Sequence, residues 1–122
     1  MQLRDKLQQD IVILDGGFGT TVEQFGYDVK HELWSSNLIQ SNPEAVYKVH
    51  KAFVDSGAEI ILTNTYQASV QSFLNIGIDR ETARTYLAKA VELATRAAGN
   101  RAIVAGSLGP YGAMLGNGSE YT

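Results

Sequence analysis

The chain has 122 residues, a net charge of −3 and no cysteine. With 44% hydrophobic and 19% charged residues, it is too apolar for wholesale disorder and too acidic for a general electrostatic grip on nucleic acid or anionic lipid. Disulfides and thiolate metal sites are excluded within it. No apolar run approaches the roughly 18 residues of a membrane span, and the polar start from Met1 to Asp10 has no secretory h-region, so a cytoplasmic protein is expected.

Residues 1–9 can form a turn or two of helix, with Leu3 and Leu7 on one side. Ile11-Val12-Ile13-Leu14 is short, apolar and β-branched. It predicts a first strand, stopped by Asp15-Gly16-Gly17. A long loop follows. Asn42-Pro43-Glu44 then starts a helix: Asn as N-cap, Pro in the first turn, and an acid beside the helix N-terminus. Val46, Val49 and Phe53 form its apolar stripe, His50 flanks that stripe as a packed or capping histidine, and Gly57 ends the helix. Residues 58–62 predict a second strand, followed by polar Thr63-Asn64-Thr65. A short helix is expected over about 67–74, closed by Gly77. A long one begins near Asp79, with Ala83, Leu87, Ala90, Ala94 and Ala97 on one face and Gly99-Asn100 at its end. Residues 102–106 predict a third strand, followed by Ser107-Leu108-Gly109-Pro110.

Strands alternating with helices imply an α/β fold with a parallel sheet. The first and third strands hardly alternate in polarity, which suits burial on both faces. A complete (β/α)8 barrel takes roughly 250 residues. The expectation is therefore about three β/α units from the N-terminal portion of a larger barrel. A complete small three-stranded domain is the alternative.

In parallel α/β folds, residues just past the strand C-termini line the ligand site. Here these are Asp15-Gly16-Gly17, Thr63-Asn64-Thr65-Tyr66-Gln67 and Ser107 to Tyr111. A carboxylate, hydroxyls and open N–H groups at one mouth suit an amino-acid-like ligand, whose ammonium meets the carboxylate. Asp15 serves equally well as a turn former, and Trp34 suits a core position at least as well as a pocket wall. Gly16-Gly17-x-Gly19 lacks the dinucleotide spacing, and no Walker lysine follows. No nucleophile elbow is present. His31 and His50 lack a metal-ligand spacing.

Residues 13–20 (Ile-Leu-Asp-Gly-Gly-Phe-Gly-Thr), Leu33-Trp34-Ser35, Pro43 through His50, Gly57-Ala58-Glu59-Ile60-Ile61, residues 63–68, residues 106–113 and Gly118-Ser119-Glu120-Tyr121 occur in an order and spacing that resembles the N-terminal part of the zinc-dependent homocysteine S-methyltransferases. The subgroup that uses S-methylmethionine or S-adenosylmethionine looks most similar. The resemblance implies a TIM barrel and a methyltransferase of methionine biosynthesis. In it, zinc held by three cysteines would activate the homocysteine thiolate for attack on the methyl group of a sulfonium donor. It also implies that Asp15 receives the substrate ammonium, that Gly16 and Gly17 allow close approach, and that Trp34, Thr63, Tyr66 and Gln67 line the pocket.

Homocysteine and the sulfonium donor would be its partners, with no nucleic acid and no membrane. The family's zinc cysteines lie in the C-terminal half, and this chain has none. Residues 1–122 are thus expected to be an incomplete homocysteine-binding domain, with no metal ligand and no catalytic residue of its own. A non-catalytic amino-acid-binding or interaction module is the alternative.

Overall fold

The computed structural model of the chain describes residues 3–8, 11–26, 38–66 and 68–109. Its elements in order are α1 (Leu3–Lys6), α2 (Phe18–Gln24), α3 (Leu38–Ser41), α4 (Pro43–Asp55), β1 (Ile60–Leu62), α5 (Val70–Asn75), α6 (Arg80–Ala98) and β2 (Ile103–Ala105). β1 and β2 pair in parallel, Ile60 to Ile103 and Leu62 to Ala105. The chain between them runs through α5 and α6, as a parallel pairing requires.

The predicted first strand shrinks to an isolated parallel bridge between Leu14 and Ile60. The reason lies in its hydrogen bonds. The Ile13 carbonyl accepts from both Glu59 N and Ile60 N, at 2.8 and 3.2 Å. The Ile13 N–H, however, donates to the Glu59 side chain at 2.9 Å. A carboxylate stands where a main-chain carbonyl would continue the ladder. Burial on both faces is not what the described residues show for this segment: Ile11, Ile13 and Leu14 are 78%, 52% and 54% exposed.

The helices form where their start signals sit. Asn42 Oδ1 accepts from Ala45 N at 3.3 Å at the head of α4, with Pro43 in its first turn. Asp79 caps α6 by accepting from Thr82 N at 2.9 Å. Ser69 caps α5 by accepting from Ser72 N at 3.0 Å, so that helix starts three residues later than expected and runs to Asn75. Gly57, with φ of +110°, lets the chain reverse out of α4 into β1. Leu3 in α1 and Leu7 just after it are exposed. The expected long loop contains α2 and α3, two short helices without the start signals that mark α4 and α6.

α4 and α6 pack against each other and both contact the sheet. Alanines 83, 90, 94 and 97 on α6 are buried together with Leu93, while Leu87 is half-buried. Small side chains let the two helices approach closely. Ile61 and Val104 turn toward them, joining Val54, Ala58, Ala94 and Ala98 in one cluster. Each large side chain fully buried in this way stabilises the fold by about 1.5–3 kcal/mol. Alternation turns Leu14, Ile60, Leu62, Ile103 and Ala105 to the opposite face. At the surface, Arg96 joins the two helices, lying 4.6 Å from the Tyr47 ring centroid and 3.7 Å from Glu44.

Candidate functional site

Parallel strands end on one side, so the segments after Leu14, β1 and β2 meet at one rim. Asp15 holds the first of them. Its N–H donates to Ile60 O at 3.0 Å, and its Oδ2 accepts from Leu62 N at 3.0 Å. The carboxylate thus extends the pairing past the bridge. Half-burial pushes its pKa above 3.8, and the hydrogen bond from Leu62 N–H opposes that rise. One bond to Leu62 leaves the carboxylate further acceptor capacity, since an ionised carboxylate has about four lone-pair sites.

Gly16 and Gly17 carry the chain from Asp15 into α2. A Cβ on Gly16 would lie 3.3 Å from Phe53 Cε1, so a side chain there would have to displace the Phe53 ring slightly on α4. Thr21 closes the turn, donating to Gly17 O through its hydroxyl at 2.8 Å. Beneath the turn, the His50 ring meets Phe18, centroids 5.0 Å apart. His50 is fully buried, and neither ring nitrogen has a hydrogen-bond partner among the described residues. Burial lowers its pKa to about 4, which keeps the ring neutral. It is packed, and among the described residues it caps nothing.

After β1, Thr63 is buried and Tyr66 is 45% exposed. The Thr63 and Thr65 hydroxyls lie 2.8 Å apart. Thr65 Oγ1 donates to Ser107 O at 2.8 Å, and Ser107 N donates to Thr63 Oγ1 at 3.0 Å. Beyond them, Gly109 presses on Tyr66: a Cβ there would collide with the Tyr66 carbonyl oxygen and stand 2.9 Å from its ring.

The rim therefore brings together Asp15, Gly16, Gly17, Thr63 and Tyr66. Trp34 and Gln67 lie outside the described residues, as do His31, Pro110, Tyr111, Glu120 and Tyr121. The sequence places Thr65 at the mouth without showing its bond to Ser107 O, and it does not show the support from Phe53 and His50. The Thr-x-Thr spacing was a usable signal, because side chains two apart on extended chain share a face. At the opposite end of the sheet, a cleft of about 300 Å³ is lined by Lys6, Asn100, Arg101, Ala102 and Ile103. It lies at the strand N-termini, where parallel α/β folds place stability rather than chemistry. No group of three or more His, Asp or Glu residues could hold a metal among the described residues.

A family model described as homocysteine S-methyltransferase matches residues 12–122. Homocysteine S-methyltransferase 1 of Arabidopsis thaliana is 39% identical over 124 residues, covering 90% of this chain and 38% of the relative. The homocysteine S-methyltransferase of Escherichia coli K12 is 37% identical over 123 residues, covering 93% of this chain and 40% of the relative. The crystal structure of the metallated Escherichia coli homocysteine methyltransferase MmuM superposes with a TM-score of 0.86 at 38% identity, covering 98% of this chain and 45% of that one. The chain spans about 40% of the length of these curated relatives. It belongs to the homocysteine S-methyltransferase family.

Proposed function

We propose that this chain supplies the first β/α units of a (β/α)8 barrel methyltransferase and receives the amino-acid end of homocysteine at its rim. The observation that carries this reading is the Asp15 carboxylate. It is anchored by Leu62 N–H at the C-terminal end of the sheet and keeps acceptor sites for an ammonium. A charge-assisted hydrogen bond there would fix the substrate's orientation. Gly16 and Gly17 admit the ligand to the main chain, Thr63 helps frame the rim, and Trp34, Tyr66 and Gln67 wall it.

Methyl transfer to the homocysteine sulfur, from a sulfonium such as S-methylmethionine or S-adenosylmethionine, is the reaction this pocket would serve. The family resemblance implies zinc as the thiol activator. The residues of this chain do not fit that group: there is no cysteine, no alternative ligand cluster among the described residues, and His50 is sealed under Phe18. What this chain can contribute is binding and orientation. A cytoplasmic setting belongs to the same proposal.

The Asp15 carboxylate, with acceptor sites beyond the Leu62 N–H bond, equally fits a second reading, in which the chain binds an amino acid without chemistry. One experiment addresses both. Calorimetric titration compares homocysteine with a thiol that lacks the amino group, and a parallel assay follows methyl transfer from a sulfonium donor. Binding of homocysteine, weakened by Asp15→Asn, supports the rim assignment under either reading; turnover once the remainder of a relative's barrel is supplied with the chain favours the methyltransferase, and its absence in that combination favours the module. Equal affinity for both thiols overturns the role of Asp15.

A further inference from the structure

The main-chain pairing of β1 with β2 ends at Thr63 N, which donates to Ala105 O at 3.0 Å. Side chains take over beyond that rung. Each threonine hydroxyl has one proton. The Thr65 proton goes to Ser107 O, so in the 2.8 Å contact between the hydroxyls Thr63 must donate to Thr65. Thr63 Oγ1 in turn accepts the Ser107 N–H. The three bonds close a ring: Ser107 N–H to Thr63, Thr63 to Thr65, Thr65 to Ser107 C=O. Every donor points the same way round, the arrangement in which hydrogen bonds polarise and strengthen one another.

We propose that Thr65, through this ring, is a positioning residue that locks the loops after β1 and β2 into one rim and sets Tyr66 at the mouth. Thr65 immediately precedes Tyr66, and Ser107 stands two residues before Gly109, the residue on which Tyr66 rests. The ring therefore sits between the last rung of the sheet and the Tyr66–Gly109 contact. It spends the donor capacity of both threonines, so Thr63 acts on the rim's shape and gives no proton to a ligand. Ser107 takes part only through its main chain. The functional consequence rests on the homocysteine reading above; the ring itself does not.

Amide hydrogen exchange and homocysteine titration on the wild-type protein and the Thr65→Val, Thr65→Ser and Ser107→Ala variants test this. Val keeps the shape and removes the hydroxyl. In Thr65→Val the Ser107 amide keeps its Thr63 acceptor but its loop loses the two bonds made by the Thr65 hydroxyl, so it should exchange at least about tenfold faster, while Ile61 and Leu62 amides stay within about twofold. Thr65→Ser should restore wild-type exchange, and Ser107→Ala should keep it, because the ring does not use that side chain. Homocysteine affinity should fall about fivefold or more in Thr65→Val and recover in Thr65→Ser.

Unchanged Ser107 exchange in Thr65→Val overturns the ring, whatever the ligand does. Acceleration that spreads equally to Ile61 and Leu62 overturns a local role, because it reports general destabilisation. Loss of Ser107 protection in Thr65→Val, in a protein whose wild type binds no homocysteine, supports the ring and overturns the homocysteine reading instead.

Discussion

Asp15 has two tasks on this structure, and two substitutions separate them. Its Oδ2 accepts Leu62 N–H, which joins the first segment to β1. Its charge is proposed to meet the substrate ammonium. Asp15→Asn keeps an acceptor oxygen for Leu62 and loses the charge. A hydrogen bond to a charged group contributes about 1.5–3 kcal/mol against about 0.5–1.5 for a neutral one. On that scale Asn weakens the Leu62 bond by ~1 kcal/mol. An opposing effect reduces this loss. The folded pKa of Asp15 is raised by burial, so the ionised form is penalised in the folded state as pH rises through that pKa, and Asn removes the penalty. The two act in opposite directions, so the thermal midpoint at neutral pH should move by no more than the equivalent of ~1 kcal/mol. Asp15→Ala removes the acceptor and leaves Leu62 N–H without it, which should cost about 1–3 kcal/mol. Binding should respond differently. Either variant should lose about 1–3 kcal/mol in homocysteine affinity, roughly 5- to 150-fold. A thiol lacking the amino group should lose almost nothing. Calorimetry on both thiols and thermal melts of both variants check the whole scheme. If Asn lowers affinity for the two thiols alike, or destabilises as much as Ala, Asp15 serves the sheet and the ammonium assignment is wrong.

Three further predictions concern Glu59, His50 and two of the glycines. The Ile13 N–H bond, helped by Lys6, holds the Glu59 pKa below 4.5. Its stabilising effect is therefore complete above 4.5 and disappears as pH falls through the lowered folded value; in Glu59→Gln the acid limb of a stability-versus-pH curve should flatten, and an unchanged limb would count against the clasp. At His50, whose pKa falls from 6.5 to about 4, the stability present above pH 6.5 should drain away between 6.5 and 4 by up to ~3 kcal/mol. His50→Leu should remove that dependence and lose nothing at pH 7, because it deletes two buried nitrogens that have no partner among the described residues; a strong loss at pH 7 would reveal a bond the ring makes. Gly109→Ala should destabilise by about 1–3 kcal/mol through collision with Tyr66, whereas Gly19→Ala, inside α2 with open space around it, should gain about 0.5–1 kcal/mol. Urea titration reads both, and equal effects would refute the contact at Gly109.

The parts of the fold legible in the sequence are those with local causes. Asn42, Pro43 and Asp79 announce α4 and α6 because capping is a contact within a single helical turn. Gly57 and Gly99 mark helix exits through positive φ. The alanine face of α6 follows from periodicity, although Leu93 beside it went unnamed. By contrast, α2 begins at Gly17 with no side-chain cap, and α3 is a single turn whose Leu38 and Ile39 are buried in the fold. Tertiary packing, and no local signal, makes them helical. The first strand failed for a related reason. Ile11 to Leu14 has every local mark of a strand, yet ladder length depends on the partner, and the Glu59 carboxylate replaces the main-chain acceptor there.

At the rim, the rule that parallel strands gather their C-terminal residues was enough to nominate Asp15, Thr63 and Tyr66 together. It could not say which atoms face a ligand and which face the protein. Asp15 and Thr63 are each bonded to the neighbouring strand or its following loop, at Leu62 and Ser107, so the same side chains that suit a substrate also hold the sheet ends together. Thr65 was legible as a residue of the mouth, but its task was not, because that task is done across 42 residues, on the Ser107 carbonyl. A hydroxyl that ties two loops and one that binds a substrate look identical in sequence, since both follow an apolar strand and both are polar. They differ in where the single proton goes, and for Thr63 and Thr65 it goes to the protein.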